Sequence, residues 1–148
     1  MTAGPHSRAA LMPDVVIVDA SVLVDLLADT SYAAAAAARL RGMELHAPAH
    51  CEAEVLSALG RLNLAGALSD DAVDVALKRL STLPLKRHLL HDLLAGAWEH
   101  RASIRLVDAL YVSLAIRLDA PLVTTDHRLA RAWPGAEAIG PVGGTAYN

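Results

Sequence analysis

The chain has 148 residues, enough for one domain with a sizeable core, and its 54% hydrophobic and 20% charged residues exclude a disordered polymer. No apolar run is long enough to span a bilayer, and a single cysteine, Cys51, excludes an internal disulfide framework. The net charge of −3 argues against a surface dominated by basic residues and decides little else.

Aromatic residues are only 3% and Phe is absent, so the core must be built from Ala, Leu and Val. The N-terminus, MTAGPHSRAALMPD, lacks the apolar segment and cleavage pattern of a signal peptide. With the lone cysteine this makes the cytoplasm the expected location. Residues 1–14 and the tail 141–148 are rich in turn formers and small residues and are expected to be mobile, leaving 15–140 as the folded domain. Met12 offers an alternative start.

VVIV at Val15 to Val18 is a short β-branched run, the mark of a strand buried on both faces. Ser21 is placed to cap a helix through Leu27, and Ser31 a second one through Leu40, with Gly42 as its stop. Met43 to Ala47 reads as a weaker strand halted by Pro48. A longer helix from about His50 to Leu64 puts Val55, Leu59 and Leu62 on one face, and Gly66 ends it. Ser69, Asp70 and Asp71 then start a helix reaching Leu80, the acids favouring the positive end of its dipole.

Leu85 to Leu89 reads as a third strand. A helix from His91 to Arg101 is expected to carry Leu93, Leu94 and Trp98 inward. The strongest helical pattern runs from Val107 to Leu118, with Leu110, Leu114 and Leu118 in one stripe. A strand at Leu122 to Thr125, a short helix from His127 to Trp133 and a last strand around Ala138 and Ile139 complete the domain.

Strands alternating with helices predict an α/β fold: right-handed crossovers and a parallel sheet covered on both sides. Ligands of such sheets bind beyond the carboxyl ends of the strands. Four acids fall at that edge: Asp19 just after the first strand, Asp126 just after the fourth, and Glu54 and Asp108 in the opening turns of their helices. Taken singly, Asp19 and Asp126 read equally well as helix caps, Asp108 reads better as a first-turn dipole acid and Glu54 as a half-exposed helix residue; their shared edge is what makes a site. No neighbouring basic residue obviously balances them in the sequence, and like charges about 5 Å apart repel by roughly 3 kcal/mol per pair at an effective dielectric near 20. Hard carboxylate oxygens without Cys or a paired His motif select Mg²⁺ or Mn²⁺ over zinc, and phosphodiester hydrolysis is the chemistry such a site fits.

Other features point elsewhere or nowhere. His88, His91 and His100 have no carboxylate partner in their spacing and read as surface or core residues. His127 reads as packing, Glu52 competes with Glu54 for any role, and Tyr111 reads as core. The pairs Lys78–Arg79, Lys86–Arg87, Arg101–Arg105 and Arg128–Arg131 read as solvated faces, with Arg128 also placed to touch a phosphate at the rim. The turn DASVL has no glycine for a dinucleotide site, and GxxxxGK[ST] is absent. An aspartyl-phosphate domain needs a lysine at a later strand end, which VTTDHR does not supply.

The segments VIVDASVLVDLL, APAHCEAEVLSALGRL, RLVDALYVSLAIRL and APLVTTDHRLARAW, in that order, resemble the four signature segments of the PIN-domain family, and the spacing is most similar to its VapC-type toxins. The resemblance spans about Val15 to Ile139. It implies a three-layer α/β/α fold with a parallel sheet of about five strands and a metal-dependent endoribonuclease of a bacterial toxin–antitoxin pair. It further implies metal-binding acids at Asp19, Glu54, Asp108 and Asp126, supporting polar groups at Ser21 and Thr124, and Mg²⁺ with Mn²⁺ as substitute. An RNA substrate, a cognate antitoxin across the active-site groove and a homodimer are the implied partners. A PIN-like module that binds RNA or protein with little catalysis is the alternative.

Overall fold

Three consecutive β-branched residues, Val16, Ile17 and Val18, are all fully buried, so the strand they form is covered on both faces. This strand, β1 (Val15–Val18), lies at the centre of a five-stranded sheet in a computed structural model that describes residues 14–141. The other strands are β2 (Glu44–Pro48), β3 (Leu85–His88), β4 (Leu122–Thr124) and β5 (Ala136–Ala138), in the order β3-β2-β1-β4-β5, with every pairing parallel. The expected parallel α/β sheet is therefore present, with β2 and β5 each displaced by one or two residues from the boundaries read in the sequence. The outer segments 1–14 and 141–148, with Met12, lie almost wholly outside the described residues.

Seven helices connect the described strands: α1 (Ala20–Leu27), α2 (Ala33–Leu40), α3 (Cys51–Leu64), α4 (Asp70–Thr82), α5 (Leu94–Glu99), α6 (Leu106–Leu118) and α7 (His127–Ala132). Packing of α1 against α2 and α3 and of α3 against α4 makes one group, and α5 packs on α6, which lies across β1, β2 and β4. None is long and apolar enough to cross a membrane. Gly42 and Gly66, with φ of +74° and +77°, follow α2 and α3 in the left-handed region that L side chains resist.

Ser69 caps α4 as expected, accepting from the backbone of Ala72 at 3.1 Å. The other two serine caps are not formed. Asp19, not Ser21, is the residue before α1, which frees Ser21 for a different task. Thr30, not Ser31, receives the backbone N–H of Tyr32 ahead of α2.

The helix from His91 to Arg101 also needs correction. A 3-10 turn at Leu90–Asp92 precedes a six-residue α5, and with Leu93 and Ala97 turned inward, Leu94 and Trp98 are rotated out and each stands 56% exposed. The guanidinium of Arg101 covers the Trp98 ring from 4.9 Å, which keeps one face of the indole occupied.

β1 and β4 are the topological switch point of the sheet. The chain leaves β1 for β2 on one side, while β4 and β5 are added on the other, and the crevice for a ligand opens between the loops that follow β1 and β4. Asp19 and Asp126 occupy those two loops.

Candidate active site

All four expected acids line one cavity of about 310 Å³, together with Ser21, Val24, Asp25, Ala58, Arg61 and Arg105. The sheet topology accounts for this. Asp19 continues β1 and its N–H still donates to the carbonyl of Val123 at 3.0 Å, so it is locked to the end of β4. Asp126 caps α7, accepting from the Arg128 backbone N–H at 2.9 Å. Glu54 and Asp108 stand in the first turns of α3 and α6.

The floor of the cavity is a pair of hydroxyls. Ser21 Oγ and Thr124 Oγ1 each donate to Asp19 Oδ2 at 2.7 Å. Each also accepts a backbone N–H of the loop after β4: Ser21 from Thr125 at 3.1 Å, Thr124 from Asp126 at 2.9 Å. With both protons committed to Asp19, the 3.2 Å approach between the two hydroxyl oxygens is a close contact and not a third bond. Ser21 and Thr124 thus both hold the same oxygen of Asp19. Burial is the chief force on Asp19, whose carboxyl is pushed up to about 6; the two hydroxyls work against it, and the charges of Asp108 and Glu54 add to it.

The other three acids have partners that the sequence did not announce, and the expectation that nothing basic balances them is overturned. Arg105 forks onto Asp108, Nε to Oδ2 at 2.9 Å and Nη2 to Oδ1 at 3.2 Å. The guanidinium of Arg128 lies 3.4 Å from both oxygens of Asp126. Burial works to raise the Asp126 carboxyl, but the Arg128 side chain and backbone outweigh it and hold the pKa below its usual value. Glu54 Oε1 accepts from Tyr111 Oη at 2.7 Å and lies 3.1 Å from His50 Nε2. These partners likewise outweigh burial, so Glu54 is lowered. His50 Nε2 is 2.9 Å from the carbonyl of Val107, a bond that requires the proton on Nε2, and its Nδ1 is buried without a partner.

Because each carboxylate is engaged by its own partner, no three acidic, imidazole or thiol groups among the described residues close on a single point. The acids share a wall, and their side chains face protein donors along it. The donor chemistry still fits a hard divalent cation: four carboxylates at one cavity, one of them raised to about 6 by burial, and no thiolate. Cys51 is turned into the core, where burial pushes its thiol up to about 12.

Reading the sequence missed five residues of this site. His50 and Arg105 sit four and three residues before the acids they meet, a spacing that was available as a signal, whereas Tyr111 reaches Glu54 from another helix and had none. Arg61 had none. Asp25 also had none: it lines the cavity while accepting from Thr30 and Thr125 at 2.6 Å each, tying α1 to the loop after β4. The expected competitors fall away. Glu52 pairs with Arg87 of β3, His88 Nε2 bonds His46 at 2.8 Å, and His91 lies 3.2 Å from Asp92.

The Tyr111 contact yields a testable expectation. Tyr111→Phe removes a hydrogen bond that stabilises the ionised Glu54, so the Glu54 pKa should rise. The acid limb of the pH–activity profile should then move to higher pH, with activity at neutral pH reduced about 3- to 10-fold. An acid limb identical to that of the wild type would show that the phenol does not govern this carboxylate.

Comparison with known proteins places this architecture. The PIN domain profile matches residues 16–133. The chain is 58% identical over 141 residues to "Ribonuclease VapC3" of Mycobacterium tuberculosis, covering 95% of this chain and 100% of that one. It is 37% identical to "Ribonuclease VapC12" of the same organism over 79% of this chain and 91% of the relative. Among solved structures, a toxin–antitoxin complex from Klebsiella pneumoniae superposes with a TM-score of 0.64 at 14% identity, over 86% of this chain and 99% of that one, a likeness of fold. The matched span contains β1 to β4, all four acids and both supporting hydroxyls, and the chain belongs to the PIN-domain family, in its VapC-type branch.

Proposed function

We propose that this protein is a metal-dependent endoribonuclease and the toxin of a toxin–antitoxin pair. The observation that carries the reading is the convergence of Asp19, Glu54, Asp108 and Asp126 on one cavity at the switch point of the sheet. Its identity to chains named as ribonucleases supports RNA as the substrate.

Asp19, Asp108 and Asp126 would hold Mg²⁺ or Mn²⁺, and Glu54 would complete the shell. Such an ion, when bound, polarises a phosphoryl oxygen and makes a bound water more acidic. The chain supplies the positions. Ser21 and Thr124 fix Asp19 Oδ2, leaving Oδ1 without a hydrogen bond to any described group. Tyr111 and His50 occupy Glu54 Oε1, so Oε2 remains to orient the attacking water. Arg128, three-quarters exposed and only loosely held by Asp126, is placed to take an RNA phosphate at the rim.

A protein partner is part of the proposal. Leu94, Ala97, Trp98, Leu106, Val107 and Leu110 line an apolar groove of about 280 Å³, and Val107 adjoins Asp108. Apolar side chains exposed together beside a catalytic cavity favour a surface that is covered by protein. An antitoxin segment reaching the cavity and a homodimer are both consistent with it.

One observation favours the alternative of a weak or inactive RNA-binding module: each acid already has a protein partner. The deciding experiment is expression in a bacterial host with mapping of RNA 5′ ends, comparing the wild type with Asp126→Asn. New 5′ ends that vanish in the variant are the expected result. RNA captured by the wild type without new ends would select the binding module.

A further inference from the structure

Among the four acids, Asp108 is the one whose two oxygens both lie within 3.2 Å of a guanidinium nitrogen. Asp19 is met by neutral hydroxyls, Glu54 by a phenol and an imidazole at one oxygen, and Asp126 by the Arg128 backbone N–H at 2.9 Å and its guanidinium only at 3.4 Å. Each oxygen keeps a second lone pair, but the guanidinium charge held against both of them opposes a cation approaching the same carboxylate.

We propose that Arg105 is a displaceable counter-ion: it occupies Asp108 in competition with the divalent cation, and once displaced it binds the RNA phosphate. The proposal rests on the reading of Asp108 as a metal ligand. Asp108 cannot follow Arg105 away, because it sits in the first turn of α6 with its side chain only 12% exposed. Arg105 can leave. It precedes α6, its side chain is 63% exposed, and its guanidinium has no hydrogen bond to any described group except Asp108.

The place to which it would move is already built. Arg105 stands on the wall shared by the acidic cavity and a smaller one of about 130 Å³ that also includes Asp126 and Arg128. Arg61 also lines the acidic cavity; its Nη1 donates to Ser57 at 2.8 Å, and it bonds no acid among the described residues. A guanidinium released from Asp108 therefore shares one cavity with Arg61 and the adjoining one with Arg128, so a polyanion bound there has three arginines available to it. An exposed ion pair is weak and easily exchanged, whereas a dication facing several carboxylates is not, so the cation wins the competition at a modest discount in affinity. Loading the metal then also readies the substrate contact.

The two halves of this role predict opposite effects of one substitution. Arg105→Gln should bind Mn²⁺ about 3- to 5-fold more tightly than the wild type, read by calorimetry or by the Mn²⁺ dependence of the melting temperature. The same variant at saturating Mn²⁺ should show a KM for RNA raised about 5- to 20-fold, with kcat changed much less. Arg105→Lys keeps the charge without the fork and should lie between the two in both measurements; it also serves if the Gln variant folds poorly. A merely structural role for Arg105 would lower the melting temperature without tightening Mn²⁺ binding. Equal or weaker Mn²⁺ binding by Arg105→Gln, or an unchanged KM, would overturn the proposal while leaving the nuclease reading in place. Failure of the wild type itself to bind Mn²⁺ would overturn both.

Discussion

Asp19→Asn should reduce RNA cleavage on the order of 10³-fold and, at the same time, make the metal-free protein more stable at neutral pH. The two effects have one cause. Asp19 is 6% exposed at the bottom of a cavity that it shares with three other acids, and burial raises its carboxyl from 3.8 to about 6. A group whose pKa is raised on folding favours the folded state in its protonated form. That contribution is complete below about 3.8 and is lost as pH rises through about 6. Above this window the folded, metal-free wild type carries a charge in an unfavourable place, whereas Asn carries none.

The ceiling on the gain is about two pKa units at 1.36 kcal/mol each, or roughly 3 kcal/mol. Asn Oδ1 can accept from both Ser21 and Thr124 as Asp19 Oδ2 does, so the floor of the cavity survives. Rearrangement of the amide reduces the gain to about 1–2 kcal/mol, or about 3–8 °C in melting temperature. Melting curves in EDTA between pH 5 and 8 test this: the variant should exceed the wild type at pH 8, and the difference should shrink toward pH 5. Addition of Mn²⁺ should then raise the wild type alone. A wild type that equals the variant at pH 8 in EDTA would show that no unfavourable charge is stored at Asp19, and retained cleavage by the variant would remove Asp19 from the chemistry.

The acids were legible because the sheet itself sorts them. A parallel sheet sends every strand end to one edge, so an acid after VVIV and another after PLVTT must share that edge whatever the intervening chain does. Glu54 and Asp108 were legible for a related reason, since helices that return to the sheet begin near the same rim. What opposes the charges was not legible. Arg105 lies three residues from Asp108, yet in sequence it forms a pair with Arg101 that reads as a solvated face. Asp25 is harder still, because it meets Thr125 across 100 residues, and no local pattern carries a contact of that range. The fold failed to be read where helix phase was in question. The 3-10 turn before α5 shortened that helix, and Leu93 with Ala97 took the inward face that Leu94 and Trp98 were expected to hold.

Thr124→Val should separate positioning from packing at the same floor. Thr124 is fully buried, and Val is close to it in shape, so the substitution removes one oxygen from a filled space. That oxygen has two obligations: it donates to Asp19 and it receives the N–H of Asp126. It is therefore the one atom that ties two of the four acids together. Without it, the Asp126 N–H is left without its acceptor and Asp19 keeps only Ser21. Leaving a buried donor unsatisfied costs about 1–3 kcal/mol, and misplacing two candidate ligands should lower cleavage about 10- to 100-fold. Thr124→Ser supplies the contrast. It keeps the hydroxyl and loses a buried methyl, so it should cost about 1 kcal/mol of stability while holding cleavage near that of the wild type. Activity should thus follow the oxygen and not the melting temperature. If cleavage in both variants falls only in proportion to their stability, Thr124 is a core residue that happens to lie near the acids, and the link it forms between Asp19 and Asp126 has no part in the reaction.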